Sequence, residues 1–393
     1  MDEKLAPCEE RIVTQRARKQ LSFGVPKELR TGENRLMLTP QATEVLVAQG
    51  HKVLVEKNAG LMARFSDEAY AAAGADIVSS PQHVWRADVV VKVAPPTLAE
   101  AKLLREGQSL VMLASRHLAD SEAILELSRR KSTILAADFL TDKSPLGPTV
   151  VQALGEMEGE LAVMTAANLL LNNGSDGKGI IIGSITGIPP SEVIILGSDT
   201  AAVSAARTAL AFGTTVKIFD VNYSRLQRLQ QGMPHRLFTS IIHPQALHKA
   251  LKSADALILT RALHSRDRYV IPHDYMHLLK KGAVVVDLDT VCGGRSELSR
   301  PTQPDSPVYS EDGLIFHCLP DITTLAAHTA TILLSDTVSQ LLSALGDGGG
   351  VKDAIRFDPS VQSSVAMYGG IITSKYLASQ VGGEFFDIRL LII

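Results

Sequence analysis

Between Val193 and Asp220 the chain reads VIILGSDTAAVSAARTALAFGTTVKIFD, a run that can form little other than strand, tight turn, helix and second strand. Val193–Leu196 is a short apolar run of β type, and Gly197 opens the turn. Residues 200–212 repeat small side chains at helical spacing, Gly213 follows where a capping glycine belongs, and residues 215–219 lead into Asp220. An acid 23 positions beyond the first glycine stands where a dinucleotide-binding βαβ unit holds the adenosine ribose hydroxyls. The turn itself departs from that pattern. A phosphate-binding turn reads G-x-G-x-x-G/A, and here those three positions hold Gly197, Asp199 and Ala202. Alanine serves third, but Asp199 stands where only hydrogen fits against a pyrophosphate.

The candidate cofactor residues are therefore Gly197, Ser198, Thr200, Ala202 and Asp220, with Asp199 opposing them. A carboxylate about 4 Å from a phosphate costs on the order of 4 kcal/mol at an effective dielectric near 20. Half of that weakens dinucleotide binding by more than about tenfold. Asp199 also suits the helix start as its N-cap, supplying the anion that the helix terminus favours.

Strand and helix patterns alternate on both sides of this unit. Residues 23–25, 52–56, 87–93, 109–113 and 132–136 read as strands, and 41–49 and 66–73 as helices ending at Gly50 and Gly74. ADVVVKV is nearly all apolar, as strands buried on both faces of a parallel sheet are. Long helical stretches, 150–171 and 324–345, separate these strands from a second set at 193–196, 215–219, 256–260 and 283–287. The expectation is an α/β protein of two Rossmann-like, doubly wound parallel-sheet domains joined by long helices, with a cleft between them. Residues 22–150, completed by 325–393, make the first domain, residues 151–324 the second, and residues 1–21 an extension.

Composition narrows the partners. A chain of 393 residues has length for two cores, and 45% hydrophobic with 21% charged residues is a globular balance. A net charge of −3 gives no reason to expect nucleic acid or an anionic membrane. Three scattered cysteines offer neither a disulfide framework nor a metal site. No apolar run approaches the roughly 20 residues of a membrane span. Residues 1–21 are rich in charge and lack the apolar core of a secretory signal, so a cytoplasmic location is expected.

The N-terminal stretch GVPKELRTGENRLMLTPQATEVLVAQGHKVLVE, followed by NAGLMARFSDEAYAAAGADIV, resembles the alanine dehydrogenase/nicotinamide nucleotide transhydrogenase family. The likeness continues through VKVAPPTLAE, GEMEGELA, GSITGIPPSEVIILG and VVVDLDTVCGG to DIRLLII, from about residue 22 to the end. Length and the lack of a membrane segment make it closest to soluble alanine dehydrogenase. The resemblance implies an amino- or keto-acid site in the first domain, NAD in the second, and a homo-oligomer, hexamer or dimer. It implies reversible oxidative deamination of L-alanine to pyruvate and ammonia.

Carried over position by position, the resemblance places the carboxylate-binding arginine at Arg35, with pairing to Glu28 or Glu33 as its structural alternative. The catalytic lysine of the K-V-K-E-P motif falls on Ala94. Lys92 shares its strand face but lies about 6 to 7 Å away along the strand. The histidine falls on Ser115 without gaps, or on His117 with a two-residue insertion. The aspartate of I-D-Q-G-G becomes Val291, with Asp287 and Asp289 nearby, and Asp321 stands where an asparagine is expected. Three readings remain open: an NAD-dependent alanine dehydrogenase with a relocated acid–base set, a dehydrogenase of another amino or keto acid, and a catalytically impaired scaffold, regulatory subunit or ligand sensor.

Overall fold

The structure, a computed structural model, describes residues 18–116, 119–141, 149–172, 177–233, 235–261 and 268–392. Two sheets organise it. The first takes β1 (Ser22–Val25), β2 (Lys52–Glu56), β3 (Asp76–Val78), β4 (Val89–Val91), β5 (Ser109–Met112) and β6 (Thr133–Ala136). The second takes β7 (Glu192–Leu196), β8 (Thr215–Asp220), β9 (Phe238–Ile241), β10 (Ala256–Leu259), β11 (Val284–Asp287), β12 (Val308–Glu311) and β13 (Leu314–His317). The chain then returns to the first sheet with β14 (Val365–Tyr368) and β15 (Ile371–Ile372), giving the order β15-β14-β6-β5-β4-β1-β2-β3.

The central strands are parallel and almost wholly buried, because each carries apolar side chains to both faces. The expectation of purely parallel sheets is corrected at the edges. β14 runs antiparallel to β6, and β12 antiparallel to β13. β12 and β15 are short edge strands with β14 beside β15, and antiparallel pairs need no helical crossover, so no βαβ pattern marks them in the sequence.

The second sheet runs β12-β13-β11-β10-β7-β8-β9. The chain starts at β7, moves out through β8 and β9, and then crosses back to β10. The carboxyl ends of β7 and β10 thus flank a topological switch point, where open α/β sheets bind ligands.

Helix α1 (Pro40–Ala48) starts at Thr39, whose hydroxyl accepts from the Ala42 amide. Helix α2 (Val150–Leu169) joins the domains through its two halves. Val150, Leu154 and Met157 sit in the first core, whereas Ala162, Val163 and Ala166 sit in the second. Helix α3 (Thr200–Ala211) is rich in alanine and packs against α2. Helix α4 (Tyr223–Gln231) follows β8, and α5 (Ala327–Asp347) buries Leu334, Val338 and Leu341 in the first core. The 3₁₀ turn Ile322–Ala326 precedes α5, so the α-helix begins three residues later than its pattern predicts. Asp321 caps that turn through the Thr323 amide, which holds the backbone in the tighter winding.

Close contact of α2 with α3 depends on glycine. A Cβ on Gly159 would lie 2.2 Å from the Ala201 carbonyl oxygen and 2.6 Å from the Ala205 nitrogen. In an ordinary helix interior, Gly→Ala gains about 1 kcal/mol. Here Gly159→Ala is expected to cost about 1–3 kcal/mol by forcing the helices apart. Chemical denaturation checks this, and a raised denaturation midpoint would refute the contact.

Candidate functional site

The first-domain end of the cleft is built around Arg35, which is 1% exposed. Four donations occupy its guanidinium. Nε and Nη2 reach the two Glu33 oxygens at 2.8 and 2.6 Å, and Nη1 reaches Asp321 Oδ2 at 2.8 Å and Thr323 Oγ1 at 2.6 Å. Burial disfavours its charge, but Asp321 and Glu33 outweigh that and hold the arginine firmly protonated. The structure thus realises the pairing with Glu33 and adds Asp321 from the segment that follows β13. Asp321 Oδ1 is itself tied to the Thr323 amide and hydroxyl. The cation carried over as a carboxylate receptor already holds two carboxylates.

Lys92 is 2% exposed and lies between Glu28 Oε2 at 3.2 Å and Glu100 Oε1 at 3.3 Å. Burial works against its charge, and the two acids more than restore it. Lys92 is therefore fixed in an internal triad instead of projecting toward the Ala94 position, which is fully buried. The Glu100 carboxylate also closes a capping box with Thr97. Glu28 accepts from the Val93 amide, and its pKa is pushed up to about 7 by burial, against the pull of Lys92 and with added repulsion from Glu33. Arg30 lies near Glu33 and Glu28. Four carboxylates (Glu28, Glu33, Glu100, Asp321) thus meet three cations (Arg30, Arg35, Lys92). Burial is the main cause that holds a proton on Glu28, and the Glu33 charge adds to it. Beside this cluster opens a cavity of about 400 Å³, lined by Arg30, Lys92, Glu100, Asp120 and, from the second domain, Gln303.

His117 lies outside the described residues. Ser115 donates its amide and hydroxyl to Asp138 Oδ2, and Asp120 caps the following helix, so Ser115 is not that helix's cap. Val291 is buried in the 3₁₀ turn Thr290–Cys292 and brings no carboxylate. Asp287 accepts from the Asp289 and Arg295 amides, an architectural role at the end of β11. Asp289 is buried, with Arg268 Nε at 3.9 Å from its Oδ2.

On the second-domain side, Gly197 turns with φ of +126°, and a Cβ there would strike the Thr260 hydroxyl at 2.0 Å. Asp199 is the N-cap of α3 and accepts from the Ala202 amide at 2.9 Å. Burial pushes its pKa up to about 6, against the pull of the Ala202 amide and the Thr260 hydroxyl. Ser198 donates to Asp220 Oδ2 at 2.7 Å, while Asn222 and Arg225 donate to Oδ1 at 2.8 and 3.0 Å. Thr200 and Ala202 lie in the first turn of α3. The structure therefore gathers all five expected cofactor residues at one turn. It also shows that Asp220 is already engaged and that Asp199 caps the start of α3. The turn does not fit a pyrophosphate while Asp199 is charged.

Several residues of this cleft escaped the sequence reading. Arg295 places Nη1 on the Thr260 carbonyl at 2.8 Å and near that of Leu196 at 3.3 Å, straddling the switch point from β10 to β7. Arg116 and Arg261 both hold Glu158 of α2, and Arg261 also donates to the Pro320 carbonyl at 3.0 Å. The detectable signal was Glu158 itself, an acid among the apolar positions Leu154, Met157 and Ala162. Arg116 and Arg261 line a cavity of about 530 Å³ that runs past Ser198 and Asp199 to Arg207, Arg225 and Arg228. Separately, His273, His277 and Asp312 bring potential ligand atoms within 4.8 Å on an exposed rim, a cluster that sequence spacing did not reveal.

Two Rossmann-type sheets facing a polar cleft, with a βαβ turn at the switch point, define a two-domain protein of the dehydrogenase type. Residues 24–158 match the N-terminal domain model of alanine dehydrogenase/PNT, and residues 162–375 match its C-terminal domain model. The chain belongs to the alanine dehydrogenase/nicotinamide nucleotide transhydrogenase family. The alanine dehydrogenase of Staphylococcus haemolyticus is 31% identical over 378 residues, 94% of this chain and 98% of that protein. That of Bacillus subtilis is 30% identical over 366 residues, 92% and 95% respectively. A solved L-alanine dehydrogenase aligns with a TM-score of 0.81 at 27% identity, covering 92% of this chain and 99% of that one. Among the described residues, no helix is long and apolar enough to cross a membrane.

Two outcomes follow from these geometries. Asp321→Asn keeps an acceptor for Arg35 but removes one charge, and calorimetry should then detect tighter pyruvate binding than in the parent chain; equal behaviour of the two would show that Asp321 does not block the site. The raised Asp199 pKa means that the folded chain holds that proton more tightly than the unfolded chain, whose value is near 3.8. Stability is therefore lost as pH rises from about 4 through about 6. Asp199→Asn should leave stability unchanged near pH 4 and raise it by about 1–2 kcal/mol above pH 7. An increment independent of pH would refute this assignment.

Proposed function

We propose that this chain is a ligand-binding member of its family that does not transfer hydride, and that it works as a sensor, scaffold or regulatory subunit. The carrying observation is the occupied Arg35 guanidinium. An incoming alanine or pyruvate carboxylate meets a cation whose charge Glu33 and Asp321 already match. Oxidative deamination needs a carboxylate anchor, an acid–base group at the reacting carbon and a nicotinamide within reach. Buried Ala94 and Val291 stand where the family resemblance calls for the lysine and aspartate of that chemistry. The surplus of carboxylates around Lys92 and Arg35 further disfavours an anionic substrate.

One observation favours a second reading, a dehydrogenase of alanine or another amino or keto acid using NAD with a relocated acid–base set. Glu28, with its pKa near 7, sits against Lys92 beside the 400 Å³ cavity, and such a group can exchange a proton at neutral pH. The readings separate in one assay: NADH and NADPH oxidation with ammonium and a panel of keto acids, pyruvate first. The proposed function expects no rate above background at any substrate. Turnover that Glu28→Gln abolishes would establish the second reading in its place.

A further inference from the structure

The exposed cluster of His273, His277 and Asp312 lies on the second domain, and none of the three lines either cleft cavity. His273 opens the short helix His273–Met276, and His277 follows it with a helical φ of −64°. Residues four apart on a helix share a face, and the two imidazole centroids are 4.5 Å apart. Met276 and Ile271 are buried in the second domain's core, so the segment is anchored while its histidines meet water. Asp312 comes 39 residues after His273 and begins the two-residue turn between β12 and β13. Asp312 and Gly313 both have positive φ, 52° and 73°, as such tight hairpins require. The backbone therefore fixes the place from which this carboxylate reaches the helix. Its Oδ2 is 2.7 Å from His273 Nε2, and the ligand atoms of all three residues lie within 4.8 Å of one another.

An exposed ion pair adds little stability, and that pair needs no second imidazole. A metal ion uses all three groups. Zinc binds imidazole nitrogen and carboxylate oxygen at about 2.0–2.2 Å, so a tetrahedral ion holds its ligand atoms about 3.3 Å apart. The widest pair closes by at most about 1.5 Å to reach that spacing, which rotamer adjustment of exposed side chains supplies. The ion takes the place of the proton between His273 and Asp312. Asp274 and Glu297 add negative charge around His273.

We propose that His273, His277 and Asp312 form a surface site for a divalent transition-metal ion of the zinc class, with water completing its coordination. Two imidazoles and one carboxylate favour zinc, nickel or copper over magnesium and calcium, which take oxygen ligands. A bound ion clips the helix to the β12–β13 turn at the edge of the second sheet. Folding is what brings the three ligands together, so the ion stabilises the folded chain. The site goes beyond the ligand-binding reading of the cleft and holds whether or not the chain transfers hydride.

Calorimetric titration of the full, tag-free and chelator-stripped chain with zinc chloride, and separately with magnesium chloride, tests this, with thermal melting as a second readout. One equivalent of zinc is expected to bind and to raise the melting temperature, whereas magnesium at the same concentration does neither. Asp312→Asn should weaken zinc binding by at least about tenfold, which corresponds to about 1.4 kcal/mol, and the double variant His273→Ala/His277→Ala should abolish it. All three side chains are exposed, so both metal-free variants should melt close to the parent, which reports that they are folded. Absence of zinc binding, or magnesium binding as tight as zinc, overturns the proposal. Unchanged zinc binding in either variant overturns it too, because zinc held by scattered histidines or by a cysteine survives these substitutions.

Discussion

Arg35 is shut away from water, so its charge has to be matched by groups the chain itself supplies. Glu33 comes from two residues away and Asp321 from the other end of the sequence, at the exit of the second sheet. One guanidinium therefore holds together β1's following loop, the 3₁₀ turn before α5 and the mouth of the cleft. Removing one member of such a buried pair typically costs about 3–5 kcal/mol, because the other charge is stranded. The same contact that ties the two domains together matches the charge of this cation from within the chain.

Lys92 repeats this logic a few residues away. A buried ammonium needs acids, Glu28 and Glu100 supply them, and the pair is richer in negative charge than one lysine can balance. Burial, with Glu33 close by, pushes the Glu28 pKa up to about 7. The first-domain end of the cleft is thus internally neutralised, while the second-domain end keeps a group of arginines facing a cavity.

Much of the fold was legible in the chain. Apolar runs of strand length gave β2, β5 and β7, the helix read from residue 66 starts at a Ser66 cap, and Gly50, Gly74 and Gly213 all adopt positive φ after helices. The short strands β12, β14 and β15 were not legible, since each pairs through backbone groups that any sequence carries. Asp199 as an N-cap was visible from its position before a small-residue helix. Arg116, Arg261 and Arg295 were not, because their partners are Glu158 and backbone carbonyls far away in sequence.

The unit formed by β7, α3 and β8, the alternation of the central strands with helices, and the altered residues Ala94, Asp199 and Val291 are determined by sequence alone, because periodicity, turn chemistry and motif spacing are local properties. What tertiary structure decided is which charges are spent. Whether Arg35 receives a substrate, whether Lys92 can move, and whether Asp220 still has room for a ribose hydroxyl all depend on partners brought in from distant segments. Electrostatic matching in a buried site acts over a few ångströms of space, and sequence distance does not report it.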